Sequence, residues 1–363
     1  MLFSIGFFAL YFPLFLALLW LWAFRKKQIS PAPLTFPKIS ILIAARNEEE
    51  HILTCLAAID RLNYPKDQLQ VLVGDDRSTD ATAQKVKAWQ KDHSYVTCIS
   101  VTHDLPGTKG KANVLAQLAH HATGEFFFIT DADIEVPPTW VTALLQQVQP
   151  HTGIVTGITT TKGHRLFDRL QALDWLYNLG LMQVVADRGV PVSTMGNNML
   201  VTREAYQAAG GFENIPFSVT EDVQLFREVI VKGFGTSHVY AAEALALSLP
   251  APNFFALLHQ RRRWMRGSVK LPWYMLLLFV VHASYYPVWL PFFLHSSLAF
   301  MGAIFLAKLL LQSCFVYICA RRVNWKTSVW DILLLEPYLL FTSLILILGF
   351  FLPFKIKWKG RYY

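Results

Sequence analysis

Three long stretches of the chain carry no Asp, Glu, Lys or Arg: residues 2–24, 271–307 and 337–354. The first, Leu2 to Phe24, is long enough to cross roughly 30 Å of hydrocarbon as a helix. From Pro37 onward the pattern changes to short apolar runs separated by polar helical periods. Strands are predicted at Ile39 to Ala45, Leu69 to Gly74, Thr97 to Thr102, Phe126 to Thr130 and Ile154 to Thr159. Helical patterns start near Glu48, Thr79, Lys109 and Pro138. Such alternation predicts an α/β domain with a mostly parallel sheet, whose ligands gather beyond the carboxyl ends of the strands. Beyond Leu271 the pattern is apolar again. The run up to Ala320 has room for two helices, and Trp330 to Phe354 for a third.

These patterns divide the chain into an anchor at 1–24, a linker at 25–37 and an α/β domain at 38–250. An interfacial helix follows at 251–270, then about three transmembrane helices within 271–354 and a basic tail at 355–363. Charge sets the direction of the anchor. Arg25, Lys26 and Lys27 follow it directly, which places them, and the domain behind them, on the cytoplasmic side. A cleaved signal peptide fits less well, because the basic residues come after the apolar run and no small-residue cleavage site follows. At the other end, parity and charge conflict. The loop Arg321 to Lys326 and the tail Lys355 to Arg361 are both basic, yet one spanning helix between them puts them on opposite sides.

Composition agrees with a membrane protein: hydrophobic residues make up 53% of the 363 residues and charged ones 16%, against about 25% in an ordinary soluble domain. The formal net charge of +8 gathers beside the apolar runs, a pattern for anionic headgroups and not for nucleic acid. Cys55, Cys98, Cys314 and Cys319 lack metal-ligand spacing and read as reduced packing residues.

The acidic clusters fall where the predicted strands end. Asp131-Ala132-Asp133 closes the Phe126 strand, and two carboxylates at i and i+2 after a buried strand offer hard oxygen ligands to Mg²⁺ or Mn²⁺. Asp75 and Asp76 close the Leu69 strand. Thr79 or Asp80 is placed to cap the next helix, but capping leaves the adjacent pair unexplained, and their mutual repulsion calls for a cation or a nucleoside nearby. Thr220-Glu221-Asp222 opens a helix running to Gly233; the helix dipole alone favours carboxylates there, and one of them is suited to accept a hydroxyl proton. In Gln260-Arg261-Arg262-Arg263-Trp264, helical spacing puts Gln260, Arg263 and Trp264 on one face and turns Arg261 and Arg262 elsewhere. Lys109-Gly110-Lys111-Ala112-Asn113 opens another helix where a lysine and backbone N–H groups can meet phosphate, although the spacing is not that of a P-loop.

In this order, Ala44-Ala45-Arg46-Asn47-Glu48, Asp75-Asp76, Lys109 to Asn113, Asp131-Ala132-Asp133, Thr220-Glu221-Asp222 and Gln260 to Trp264 resemble the signature set of glycosyltransferase family 2 over about residues 38–267. The resemblance implies a GT-A (Rossmann-like) fold, a nucleotide-sugar donor (a UDP-sugar above others), Mg²⁺ or Mn²⁺, and inversion at the anomeric carbon. It implies that Ala44, Glu48, Asp75, Asp76, Lys111 and Asp131 bind the donor, and that Asp133 with Asp131 holds the metal. Asp222, with Glu221 beside it, becomes the base, and Gln260, Arg263 and Trp264 the acceptor and diphosphate end. Two departures stand out: Arg77 replaces a common Gly, and Thr194 to Asn198 differs from the usual small-residue segment. The few spans are similar to those of ceramide glucosyltransferases and bacterial lipid or carotenoid glycosyltransferases, whose tails Trp358 to Arg361 resembles. They imply a single-sugar transferase acting on a membrane lipid in a bacterial inner membrane. A processive polysaccharide synthase is the alternative, and a non-catalytic nucleotide-sugar sensor the reading from another class. The sugar, the lipid and the oligomeric state are not legible.

Overall fold

The computed structural model describes residues 2–25, 35–268, 272–289, 291–292 and 296–350, together with the short strands Lys357–Trp358 and Arg361–Tyr362. Most of the linker, Lys26 and Lys27, Lys270, and the rest of the basic tail lie outside the described residues.

After helix α1 (Leu2–Ala23), the domain runs β1 (Ile39–Ala45), α2 (Ile52–Asp60), β2 (Leu69–Asp75), α3 (Thr82–Asp92), β3 (Val96–Ser100), α4 (Gly110–His121), β4 (Phe126–Asp131) and α5 (Trp140–Leu145). It continues with β5 (Thr152–Thr156), β6 (Ile158–Thr161), α6 (Leu166–Ala186), β7 (Asn198–Thr202), α7 (Arg203–Ala209), α8 (Gly211–Asn214), α9 (Glu221–Val231), β8 (Gly235–His238) and β9 (Leu245–Ser248). The main sheet has the order β3-β2-β1-β4-β7-β5-β8. It is parallel from β3 to β4, while β7 runs antiparallel to both β4 and β5. The central strands β1 and β4 are almost wholly buried, as near-continuous apolar runs must be when helices cover both sheet faces. The predicted mostly parallel α/β sheet is present.

Local departures have physical causes. The predicted strand Ile154 to Thr159 is two strands in two sheets, β5 and β6, divided at Gly157. The Asn198 side chain sits at that break, donating to the carbonyls of Ile158 at 2.7 Å and Ala244 at 3.0 Å and accepting from Trp140 Nε1 at 2.8 Å. A buried amide with three partners ties the small sheet β6-β9 to the large one. The helices predicted near Glu48 and Thr79 begin three or four residues later, at Ile52 and Thr82. Ala81 occupies the cap position, and the Asp80 carboxylate reaches over it to the Thr82 amide at 3.0 Å.

The register brings the chemistry together. Ala44 lies between Gly74 and Asp131, and Ala45 faces Asp75, so the carboxyl ends of β1, β2 and β4 form one edge. Gly74 allows the close approach of α4: a Cβ there would stand 2.3 Å from Val114 Cγ1. That approach delivers Lys111, in the first turn of α4, to the same edge.

Beyond α10 (Phe254–Ser268) come α11 (Trp273–Ser284), α12 (Leu298–Arg322) and α13 (Val329–Phe350). Among the described residues three helices, Leu2–Ala23, Leu298–Arg322 and Val329–Leu348, are long and apolar enough to cross a membrane, and they expose Leu10, Leu310 and Leu344 among other large apolar side chains. The run to Ala320, predicted as two helices, holds a full one and a short one. With 12 residues, α11 rises only about 18 Å. A 3-10 turn at Pro287–Trp289 follows it.

The amino half of that bundle meets itself through aromatic rings. Phe8 packs on Phe292 and Tyr285, and Trp22 stacks on Phe315. Arg322 donates to the carbonyls of Trp22, Ala23 and Arg25, so the carboxyl ends of α1 and α12 lie side by side. The basic loop Arg321 to Lys326 therefore stands on the side of the α/β domain. Seated against the bundle is α6, a helix missing from the sequence prediction. Its Leu170, Leu173, Tyr177 and Val184 share a core with Phe8, Trp22 and Phe315. Arg169 pairs with Asp331 at 3.0 Å near one end, and Asp187 pairs with Arg25 at the other.

Candidate active site

A cleft of about 400 Å³ opens at the carboxyl edge of the sheet. Ala44, Glu48, Asp76, Lys111, Asp131, Asp133, Glu221, Asp222, Gln260, Arg263 and Trp264 all line it. The four aspartates 76, 131, 133 and 222, which come from the ends of β2 and β4 and the start of α9, thus share one cavity.

Asp75 does not line this cleft, although the sequence pairs it with Asp76 at the donor. Side chains alternate along a strand, and Asp75 shares the sheet face of Val71 and Val73, which packs into the core containing residues of α2 and α3. One of its carboxylate oxygens is buried without a hydrogen-bond partner among the described residues. The repulsion between the two adjacent acids is met within the protein. Arg46 donates to the Asp76 carbonyl at 2.9 Å and lies 3.7 Å from its carboxylate, and Arg77 donates to Asp76 Oδ1 at 3.0 and 3.1 Å. Arg77, where the resemblance has Gly, adopts a left-handed backbone with φ 55°, and its guanidinium also reaches Asp104 at 2.8 Å.

Lys111 is the hub of the cleft. Its ammonium lies 2.6 Å from Asp131 and 3.2 Å from Glu221, and donates to the Gly196 carbonyl at 3.2 Å. Burial works to lower its pKa, but Asp131, Glu221 and Asp222 outweigh burial and hold it above the ordinary lysine value. Burial pushes Glu221 above the ordinary carboxylate value, against the pull of Lys111, and Asp222 adds to the rise. Asp222 is fixed by two backbone amides, accepting from Gly196 at 2.7 Å and from Val223 at 2.9 Å. Both carboxylates sit in the first turn of α9, where the dipole favours them.

Asp131, Asp133 and Glu48 all raise the pKa of buried Cys55, after the larger effect of its burial, and so bring negative charge to one corner. Among the described residues no group of three His, Cys, Asp or Glu side chains stands ready to hold a metal ion. Asp131 and Asp133 both line the cleft, and their carboxylates are the hard oxygen donors that would suit Mg²⁺ or Mn²⁺.

One expectation for α10 is corrected. Arg261 does not point away: it lines the cleft and pairs with Asp174 of α6 at 2.6 Å. At about 100° per residue, Gln260, Arg261, Arg263 and Trp264 occupy an arc of roughly 160°, wider than the single stripe assumed, and only Arg262 lies opposite. Sequence reasoning also missed the α6 wall of Trp175, Asn178, Leu179 and Met182. Their i, i+3, i+4, i+7 spacing is a helical signal, but apolar positions on the bundle side of α6 obscure it.

A family model described as "Glycosyl transferase family 21" matches residues 6–363. The chain belongs to glycosyl transferase family 21. The resemblance of its motifs to family 2 thus holds at the level of glycosyltransferases. Among similar proteins, the beta-monoglucosyldiacylglycerol synthase of Nostoc sp. is 26% identical over 243 residues, 64% of this chain and 49% of that protein. The poly-beta-1,6-N-acetyl-D-glucosamine synthase of Staphylococcus epidermidis is 22% identical over 276 residues, 72% of this chain and 65% of that protein. The chain spans about half the length of the first of these relatives. In fold, this family 21 chain is similar to a mannosyltransferase from Pyrobaculum calidifontis solved with GDP-Man and Mn²⁺: TM-score 0.60, 21% identity, covering 90% of this chain and 96% of that one. The GT-A-like architecture is therefore shared.

Proposed function

We propose that this chain moves one sugar from a nucleotide-sugar, a UDP-sugar above others, to the hydroxyl of a membrane lipid, inverting the anomeric carbon. Its site faces the cytoplasm of a bacterial inner membrane. The observation that carries the reading is the sharing of α6. One face of this helix walls the cleft holding Asp76, Asp131, Asp133 and Asp222, and another packs on the apolar helices. An acceptor embedded beside those helices is one helix away from the carboxylates. The glucolipid synthase likeness, and the resemblance to ceramide and bacterial lipid glycosyltransferases, support the same class.

In this reading Glu48 and Asp76 hold the nucleoside, with Ala44 at the floor. Asp222 accepts the proton of the lipid hydroxyl, held for that task by the Gly196 and Val223 amides. The freed oxygen pair attacks the anomeric carbon as the bond to the diphosphate breaks. Attack from the face opposite the leaving group inverts the centre. Lys111 and Arg263 neutralise the departing diphosphate, Glu221 keeps Lys111 in place, and Gln260 and Trp264 border the acceptor. Asp131 and Asp133 would hold a bound Mg²⁺ or Mn²⁺, which supplies further charge stabilisation to the diphosphate.

The test is detergent-solubilised protein with UDP- and GDP-sugars, lipid acceptors and either metal, its products read by mass spectrometry. A single-sugar glycolipid is expected. Asp222→Asn should lose about 10²- to 10⁴-fold in turnover while binding donor normally. A long polymer from the wild type would replace this reading with the processive synthase that the Staphylococcus relative's name describes. An Asp222→Asn protein with full biological activity would replace it with a sensor.

A further inference from the structure

The place where α10 meets α6 is built around one ion pair. Arg261 Nη2 lies 2.6 Å from Asp174 Oδ2, and the Asp174 side chain is 8% exposed. The other carboxylate oxygen accepts from Asn178 Nδ2 at 2.6 Å, one turn along α6. Above the pair, the guanidinium carbon stands 4.8 Å from the ring centre of Trp264 and 5.7 Å from that of Trp175. The two indoles meet edge to face at 4.9 Å and 75°. Trp175, Asn178, Arg261 and Trp264 line the cleft; Asp174 lies behind them.

The guanidinium is matched to a buried carboxylate of another helix. Set against both indoles, which touch each other, it also acts by shape: its contact with each ring restrains the pair. Trp264 follows Arg261 by one helical turn, so whatever fixes the guanidinium also fixes this ring.

We infer that Asp174 is a positioning residue that, through Arg261, sets the plane of Trp264 as the acceptor-side wall of the cleft, on which the apolar segment beside the acceptor hydroxyl stacks. The nature of the acceptor rests on the function proposed above; the clamp itself does not. Asp174→Asn alone leaves a half-buried guanidinium without its anion and risks the fold. The informative variant is therefore Asp174→Leu/Arg261→Met, which removes both charges, with Asp174→Glu as the conservative control.

Two readouts decide. The first is acrylamide quenching of Trp264, isolated by subtracting the emission of the same protein carrying Trp264→Phe. In the wild type this indole is shielded, and in the double variant it becomes clearly more quenchable. The second is kinetic: the double variant raises the KM for the lipid acceptor about tenfold, the scale of a lost cation–π contact, and leaves the KM for the nucleotide-sugar unchanged. Asp174→Glu recovers part of both. A folded double variant with wild-type quenching and wild-type acceptor KM overturns the proposal. So does an equal rise in both KM values, which would put Arg261 on the diphosphate. A wild type that binds nucleoside diphosphate but transfers nothing sinks the transfer reading alone, and the quenching experiment still judges the clamp.

Discussion

The amide of Gly196 holds the Asp222 carboxylate and its carbonyl holds the Lys111 ammonium, so one residue touches the proposed base and the cation beside the donor. A Cβ at this position would lie 2.8 Å from Asp222 Cβ and 2.9 Å from Oδ2. Gly196→Ala must displace the carboxylate, and a misplacement of about 1 Å costs on the order of 10²-fold in rate. Turnover is expected to fall by that order while the affinity for nucleoside diphosphate, measured by calorimetry, stays as it was. At this scale the sequence was a good guide to residue type and a poor one to direction. Asp131, Asp133 and Asp222 follow strand or helix boundaries that their neighbours announce. Asp75 also ends a strand, but strand alternation decides where it points, as the width of the cleft does for Arg261. Asp174 was invisible, since an acid in a largely apolar helix has no motif until its partner on another element is known.

Elements differ in how openly they announce themselves. The parallel strands β1, β2 and β4 are short apolar runs ending in small or acidic residues, and they were legible. The short strands β7, β8 and β9 were not, for their pairing depends on where distant segments return to the sheet. A similar contrast separates the two halves of an ion pair in the bundle. Lys308 of α12 stands out as a charge in an apolar run, but nothing in the sequence ties it to Glu336 of α13. In the structure the two side chains, 4% and 2% exposed, meet each other, and Tyr286 also bonds Glu336. Such a pair matters most when halved: Lys308→Met strands a buried carboxylate at a cost of about 3–5 kcal/mol, whereas Lys308→Met/Glu336→Leu restores most of it. Thermal unfolding in one detergent should rank the double variant well above the single. A single variant as stable as the wild type would mean that solvent reaches the pair.

On the scale of the whole molecule, the α/β domain and the apolar helices are joined through α6, fastened by Arg169 to Asp331 and by Asp187 to Arg25. Composition divides these parts along the sequence, yet it assigns nothing to their junction, because a helix buried on two sides shows no clean polar face. Removing one fastening tests the join. Asp331→Asn should lower turnover toward lipid acceptors more than toward a short-chain alcohol acceptor, compared side by side in the same detergent. Equal losses would show that the join does not serve acceptor delivery.

Because the wall of the cleft is also a load-bearing strut on the apolar bundle, mechanics and chemistry share a part. A bilayer thinner than the bundle's apolar length tilts such helices and a thicker one is thinned around them, and the strain of either passes to α6 and so to Trp175 and Asn178. Turnover in vesicles should therefore peak at one acyl-chain length and decline on either side, which makes the membrane's thickness an input to catalysis as well as its setting.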